Sequence, residues 1–261
     1  MMAVGPCGCT FPTKPETGDP IQSYCIVSLM SLRLGFDVDG VLADFRSAFR
    51  DTARECLGRA VAGDTNDGGK PAPLARQDVA KVWAHIARTH NWWMQVRPYE
   101  PAEIARLYAM ARASRWEVFF LTKRPPSAGD PVQFQTQWWL EQQGYYLPAV
   151  LTVPGSRGEL ANSLRLDLVV DDQIINCAEV IGAGPTRTML MLRDPDPKLT
   201  EHATDRGIGV VTCLAEALPA VVRLQEILPT RVGKPVRLMD WFSKREKTLP
   251  LNPRVERPLP E

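Results

Sequence analysis

The sequence predicts an α/β fold, an open parallel sheet with a small helical insert after its first strand, and three observations carry that expectation. First, Leu32 to Phe45 reads LRLGFDVDGVLADF. An apolar run meets two carboxylates two apart, Asp37 and Asp39, as a buried strand does when it delivers acids to its carboxyl end, where open α/β sheets bind ligands. Second, a later apolar run, Leu166 to Val170, ends in Asp171 and Asp172, and strand-like and helix-like patterns alternate between the two. Third, 261 residues with 44% hydrophobic and 23% charged content suffice for one sizeable core plus an insert.

Taken in order, the elements follow from local signals. Burying two unpaired carboxylates at the end of the first strand costs several kcal/mol, so a cation is the natural compensator. A mere acidic turn or a calcium loop of the EF-hand kind is the weaker reading, because Ala43 to Ala48 bring no closing Glu. Phe45, Ala48, Phe49, Thr52 and Cys56 recur at helical spacing. The Gly- and Pro-rich run 60–73 reads as a loop or hinge. Asp78 to His90 is helical, with Val79, Val82, Trp83, Ile86 and His90 on one face; His85 and His90 read as surface or packing residues. The insert therefore spans about 51–96, and the core comprises 31–50 and 97–230. Pro101 opens a helix to Arg112, and Glu117 to Leu121 is a strand ending in Thr122, Lys123 and Arg124. Asp130, Pro131 and Gln133 predict a capping box, for a helix that carries Phe134, Trp138 and Leu140 and stops at Gly144. Ala149 to Val153 is a strand, and Ser156 with Glu159 predicts a second capping box opening a helix through Leu164. Thr188 to Leu192 and Gly209 to Val211 are strands, and Leu214 to Leu228 marks a last helix. Residues 231–261 form a proline-punctuated tail.

The string DVDGVLADF, the strand ending in Thr122 and the strand ending in Asp171-Asp172, in that order, resemble the haloacid dehalogenase-like (HAD) phosphohydrolases. The first string is most similar to the 5'(3')-deoxyribonucleotidase branch and related bacterial nucleotidases. The resemblance covers about residues 32–228. It implies a Rossmann-like three-layer αβα core with a small helical cap, a lid that closes over the site; the other reading of the insert is packing alone. It implies Mg²⁺, a hard ion suited to carboxylates and phosphate oxygens. Asp37 would attack phosphorus to form an aspartyl phosphate. Asp39 would protonate the leaving oxygen, activate water and lend its carbonyl to the metal. Asp172 would ligate the metal directly, with Asp171 in its outer shell, although paired acids after a strand also occur as helix caps. Thr122 would hold a phosphoryl oxygen, assisted by Lys123 and Arg124 unless these are solvated surface charges. Phe45 would face a nucleobase, and Trp92 or Trp93 would close over it unless the aromatics are insert core.

The chain departs from the family at its third motif. A lysine is usual there, yet none lies between Lys123 and Lys198, and the aligned residue is Arg157. Arginine keeps the charge and offers phosphate a two-pronged contact. The function so implied is Mg²⁺-dependent phosphomonoester hydrolysis, first of a 5'-nucleotide. The alternatives are a phosphatase of a sugar phosphate or other small metabolite, and a binding module that kept the fold without turnover.

A formal net charge of +1 gives no electrostatic case for nucleic-acid or membrane binding. The six cysteines (Cys7, Cys9, Cys25, Cys56, Cys177 and Cys213) are scattered, which fits a reduced, cytoplasmic chain. Ile21 to Met30 imitates a signal core but lacks a basic lead and is too short to span a bilayer. Residues 1–30 are expected to be a disordered extension, with a buried extra strand as the alternative.

Overall fold

A computed structural model describes residues 31–61 and 74–227. The expectations for the N-terminal extension, for most of the 60–73 loop and for the C-terminal tail lie outside them. The architecture is a six-stranded, all-parallel sheet in the order β3-β2-β1-β4-β5-β6. Its strands are β1 (Arg33–Asp37), β2 (Glu117–Thr122), β3 (Ala149–Thr152), β4 (Leu168–Asp171), β5 (Arg187–Met191) and β6 (Gly209–Val211). The chain winds outward from β1 through β2 to β3, then crosses to β4 on the other side. Between β1 and β4 lies the switch point at which an open α/β sheet forms its ligand crevice.

Both faces of the sheet are covered, so the strands read as apolar runs rather than alternations. Leu34, Phe36, Phe120, Leu168 and Val170 share one core with α3 (Pro101–Ser114), α4 (Val132–Gln142) and α8 (Leu214–Ile227). On the opposite face Leu121 and Val169 pack with α5 (Arg157–Ser163) and α6 (Ile174–Ala183), and Leu190 packs with α6 and α7 (Pro197–Thr204). The result is the expected three-layer, Rossmann-like α/β arrangement.

The insert consists of α1 (Phe45–Leu57), α2 (Arg76–Arg88) and a 3₁₀ turn, Trp92–Gln95. The Asp44 carboxylate caps α1 by accepting the Ser47 amide at 3.0 Å. α1 runs unbroken across residue 51, the expected start of the insert. An aromatic cluster of Phe45, Phe49, Trp83, Trp92 and Trp93 joins its elements. Its returning end is fastened to the β2–α4 loop. The Asn91 side chain donates to the Asp130 carboxylate at 2.8 Å and accepts the Asp130 amide at 2.7 Å, and the Trp93 indole donates to the Pro125 carbonyl at 2.9 Å.

That fastening overturns one sequence expectation. Asp130 is spent on Asn91, α4 starts at Val132 without a side-chain cap, and Gln133 donates instead to the Val150 carbonyl at 3.2 Å. Phe134 and Trp138 face outward, half exposed, while Thr136, Trp139 and Leu140 face inward. The second capping box also differs. Ser156 does cap α5 by accepting the Gly158 amide at 3.1 Å, but the carboxylate on this helix start is Glu179 of α6 rather than Glu159. Gly158 permits that approach: a Cβ there would lie 2.4 Å from the Glu179 carbonyl oxygen. Helices α6 and α7 are additions to the sequence reading.

Candidate active site

Parallel register places the acids. Phe36 is level with Val170, so Asp37 at the end of β1 and Asp171 at the end of β4 emerge side by side. Asp172 follows at once, and ligand atoms of Asp37, Asp171 and Asp172 lie within 4.8 Å of one another. After β1 the chain turns sharply, with the Gly40 amide donating to the Ala43 carbonyl at 2.9 Å. Gly40 has φ +83, and a Cβ there would stand 2.2 Å from Asp172 Oδ2. Only glycine lets this turn pass so close to the acid.

Arg157 pairs with two acids of the cluster, Asp37 and Asp171. Its side chain is 2% exposed. Nη2 donates to Asp37 Oδ1 and, at 3.3 Å, to the Leu121 carbonyl, while Nε lies 3.5 Å from Asp171 Oδ2. Nη1 is buried and unpartnered. Thus Arg157, expected either at the site or in solvent, lies in the site.

Burial still outweighs this charge. Desolvation, then Asp171, pushes the Asp37 carboxyl well above the usual range, with Arg157 opposing. Asp171 is raised by burial, against hydrogen bonds from Asn176 and the Gln173 amide. Asp172 is pushed up to about 6, by burial first and by Asp171 next. The two acids of the pair are unlike. Asp171 takes Asn176 Nδ2 at 2.9 and 3.1 Å and the Gln173 amide at 2.9 Å, whereas Asp172 Oδ1 is buried with no partner. An all-oxygen cluster with an orphaned carboxylate oxygen fits a hard divalent cation. Asp172, and Asp37 beside its bond from Arg157, are the residues that would hold it, and Asp171 is fixed by Asn176 and the Gln173 amide.

Asp39 stands outside the cluster. Arg124 grips it with Nε to Oδ2 at 2.9 Å and Nη2 to Oδ1 at 2.8 Å. Of the two expected roles of Arg124, solvated charge is ruled out, because its side chain is fully buried and bonded to Asp39 and Thr136, while the residue still lines the cavity beside the acids. Lys123 is exposed on the rim. Thr122 is buried at the end of β2, where its hydroxyl accepts the Arg124 amide at 3.3 Å.

A cavity of about 450 Å³ opens over Asp37, Asp39, Asp172 and Arg157, walled on the insert side by Phe45, Arg46, Trp83 and Trp93, while Thr122 lines a neighbouring cavity. Trp93 is almost wholly buried, with Phe45 stacked at 5.9 Å and the Arg124 guanidinium at 4.8 Å. Trp92 is not among the residues lining this cavity, and its indole donates to Thr52 at 3.2 Å. The aromatic lining of the cavity is Phe45, Trp83 and Trp93, with Phe45 and Trp83 stacked at 5.8 Å. Trp83 was legible only as one of a helical face.

No protein-family model matches the chain, and no curated protein matches it. Solved structures similar in fold include the following three. A phosphonoacetaldehyde hydrolase-like protein from Oleispira antarctica is 16% identical, with 78% of this chain and 96% of that one covered and a TM-score of 0.49. A HAD hydrolase, family IA, variant 3, from Entamoeba histolytica is 13% identical over 76% and 100% of the two chains, with a TM-score of 0.44. CbbY from Rhodobacter sphaeroides, in complex with phosphate, is 16% identical over 72% and 96%, with a TM-score of 0.44. At such identities the chemistry rests on this chain's own residues.

Asn176, Gln173 and Arg46 also line the cavity and had no place in the sequence reading. Asn176 is the third residue of α6, a helix whose start carries no side-chain cap. Its signal in the sequence is the DDxxxN spacing, which puts the amide back over the strand end. No described helix is long and apolar enough to cross a membrane.

Proposed function

We propose that this chain is a HAD-like phosphomonoester hydrolase that uses Mg²⁺ and an aspartyl-phosphate intermediate on Asp37. The observation that carries the reading is the cluster of Asp37, Asp171 and Asp172, the first two paired with a buried Arg157, with one Asp172 oxygen left without a partner. Bound there, a divalent cation would keep the carboxylates ionised and offset the charge of an arriving phosphate dianion.

The residues divide the remaining work. Asp37 attacks phosphorus, and the leaving oxygen takes its proton from Asp39; water then attacks the aspartyl phosphate as Asp39 accepts a proton from it. Arg157 keeps Asp37 aimed, and its unpartnered Nη1 is the donor available to a phosphoryl oxygen. Thr122 and Lys123 serve the same oxygens.

The substrate in this reading is a small phosphorylated metabolite, and a 5'-nucleotide is favoured because the cavity offers the faces of Phe45 and Trp83 beside the acids. Aromatic stacking is worth about 1–3 kcal/mol per base. A panel of nucleoside monophosphates and sugar phosphates, with Mg²⁺ and with chelator, tests both levels. Nucleotides are expected to lead, and parity with sugar phosphates would leave only the phosphatase reading. Asp37→Asn is expected to abolish turnover while the fold persists; substantial activity in that variant would remove the covalent mechanism and leave a binding module.

A further inference from the structure

The Arg124 side chain is wholly buried beside an active-site acid, and the mechanism above gives it no task. Its guanidinium grips both Asp39 oxygens, at 2.8 and 2.9 Å, and places Nη1 on the Thr136 hydroxyl at 3.1 Å. Two indoles confine it, Trp93 at 4.8 Å and Trp139 at 5.9 Å to the ring centroids. Each indole is itself tied down. Trp93 donates to the Pro125 carbonyl at 2.9 Å, and Trp139 donates to the Val96 carbonyl at 2.6 Å, at the point where the chain leaves the insert.

From this geometry we infer that Arg124 is a positioning residue: it aims the Asp39 carboxyl at the leaving oxygen and makes that aim depend on how the returning end of the insert is seated. The inference rests on the phosphohydrolase reading. A planar fork fixes a carboxyl in two directions at once, where a point charge fixes only a distance. Thr136 and the two indoles remove the fork's own freedom. Movement of Trp93 would therefore be felt at Asp39 through one intervening side chain. A charge provided only to offset Asp39 would not need such confinement, and a surface ion pair would lack it.

The test separates proton delivery from everything else the site does. An alkyl phosphate leaves as a poor alkoxide and needs the proton of Asp39, whereas p-nitrophenyl phosphate releases a stable phenolate without it. The quantity compared is kcat/KM, which reports steps only through departure of the leaving group. In Arg124→Gln, kcat/KM for the alkyl phosphate is expected to fall at least tenfold further than for p-nitrophenyl phosphate. Arg124→Lys keeps the charge but loses the fork, and is expected to show the same bias at smaller size; it also carries the test should the glutamine variant fail to fold. Trp93→Leu, which removes the stacking face on the insert, is expected to share the bias. Equal losses on both substrates in the Arg124 variants, or no loss, would overturn the inference while leaving the phosphohydrolase reading intact. A parent enzyme that hydrolyses neither substrate would overturn both.

Discussion

Arg157 occupies the first turn of α5, where the positive end of the helix makes a cation locally unfavourable, and its burial between Asp37 and Asp171 supplies the compensation. Arg157→Lys keeps the charge and is expected to retain the larger part of kcat. Arg157→Ala is expected to lose about 3 kcal/mol of transition-state stabilisation, comparable with removing one oxyanion donor, as read from kcat/KM. At Asp172 the direction of pH dependence is fixed by a carboxyl raised from 3.8 to about 6 in the fold. A raised value means that the folded state binds the proton more tightly. The contribution is therefore fully present below the unfolded value and lost as pH rises through the folded one. On the order of 3 kcal/mol is at stake, and the raised Asp37 and Asp171 act in the same direction. Metal-free protein is thus expected to melt higher near pH 5 than near pH 7. Added Mg²⁺ is expected to raise Tm more at the higher pH, where it takes the place of the protons.

Among the elements, the turn after β1 and the fastening of the insert are the two most exposed to single substitutions. Gly40→Ala forces a residue at φ +83 to carry a Cβ 2.2 Å from Asp172 Oδ2. It is expected to weaken divalent-ion binding at least tenfold by calorimetry, since the acid must move. Asn91→Ala removes both hydrogen bonds to Asp130 and is expected to cost about 1–3 kcal/mol in chemical denaturation. The same element shows where local sequence signals end. The Asp130-Pro131-Gln133 pattern is sound capping chemistry, but an asparagine far along the chain outcompetes the helix start for the carboxylate. Likewise Glu159 has the right spacing, and Glu179 from the next helix takes the position. The strands, by contrast, were legible because burial on both faces leaves almost continuous apolar runs, and the acids stood out because they interrupt such runs. Trp83 and Asn176 were not separable from ordinary helical residues, since only the tertiary placement of their helices brings them to the cavity.

For the molecule as a whole, the sheet order puts β1 and β4 in contact although the insert, β2 and β3 lie between them in the chain. Asp37 and Asp172 are consequently strangers until that pairing closes, and closing so distant a pair is entropically the costliest step of assembling the sheet. Neither half of the chain holds a complete acidic cluster. Under the proposed function, competence to bind a divalent ion is therefore a timestamp on folding. In a refolding experiment followed at once by far-ultraviolet signal and by a metal-sensitive dye, ion uptake is expected to track the slowest structural phase and never to precede it. A chain released half-made would carry no site with which to compete for the cell's divalent ions.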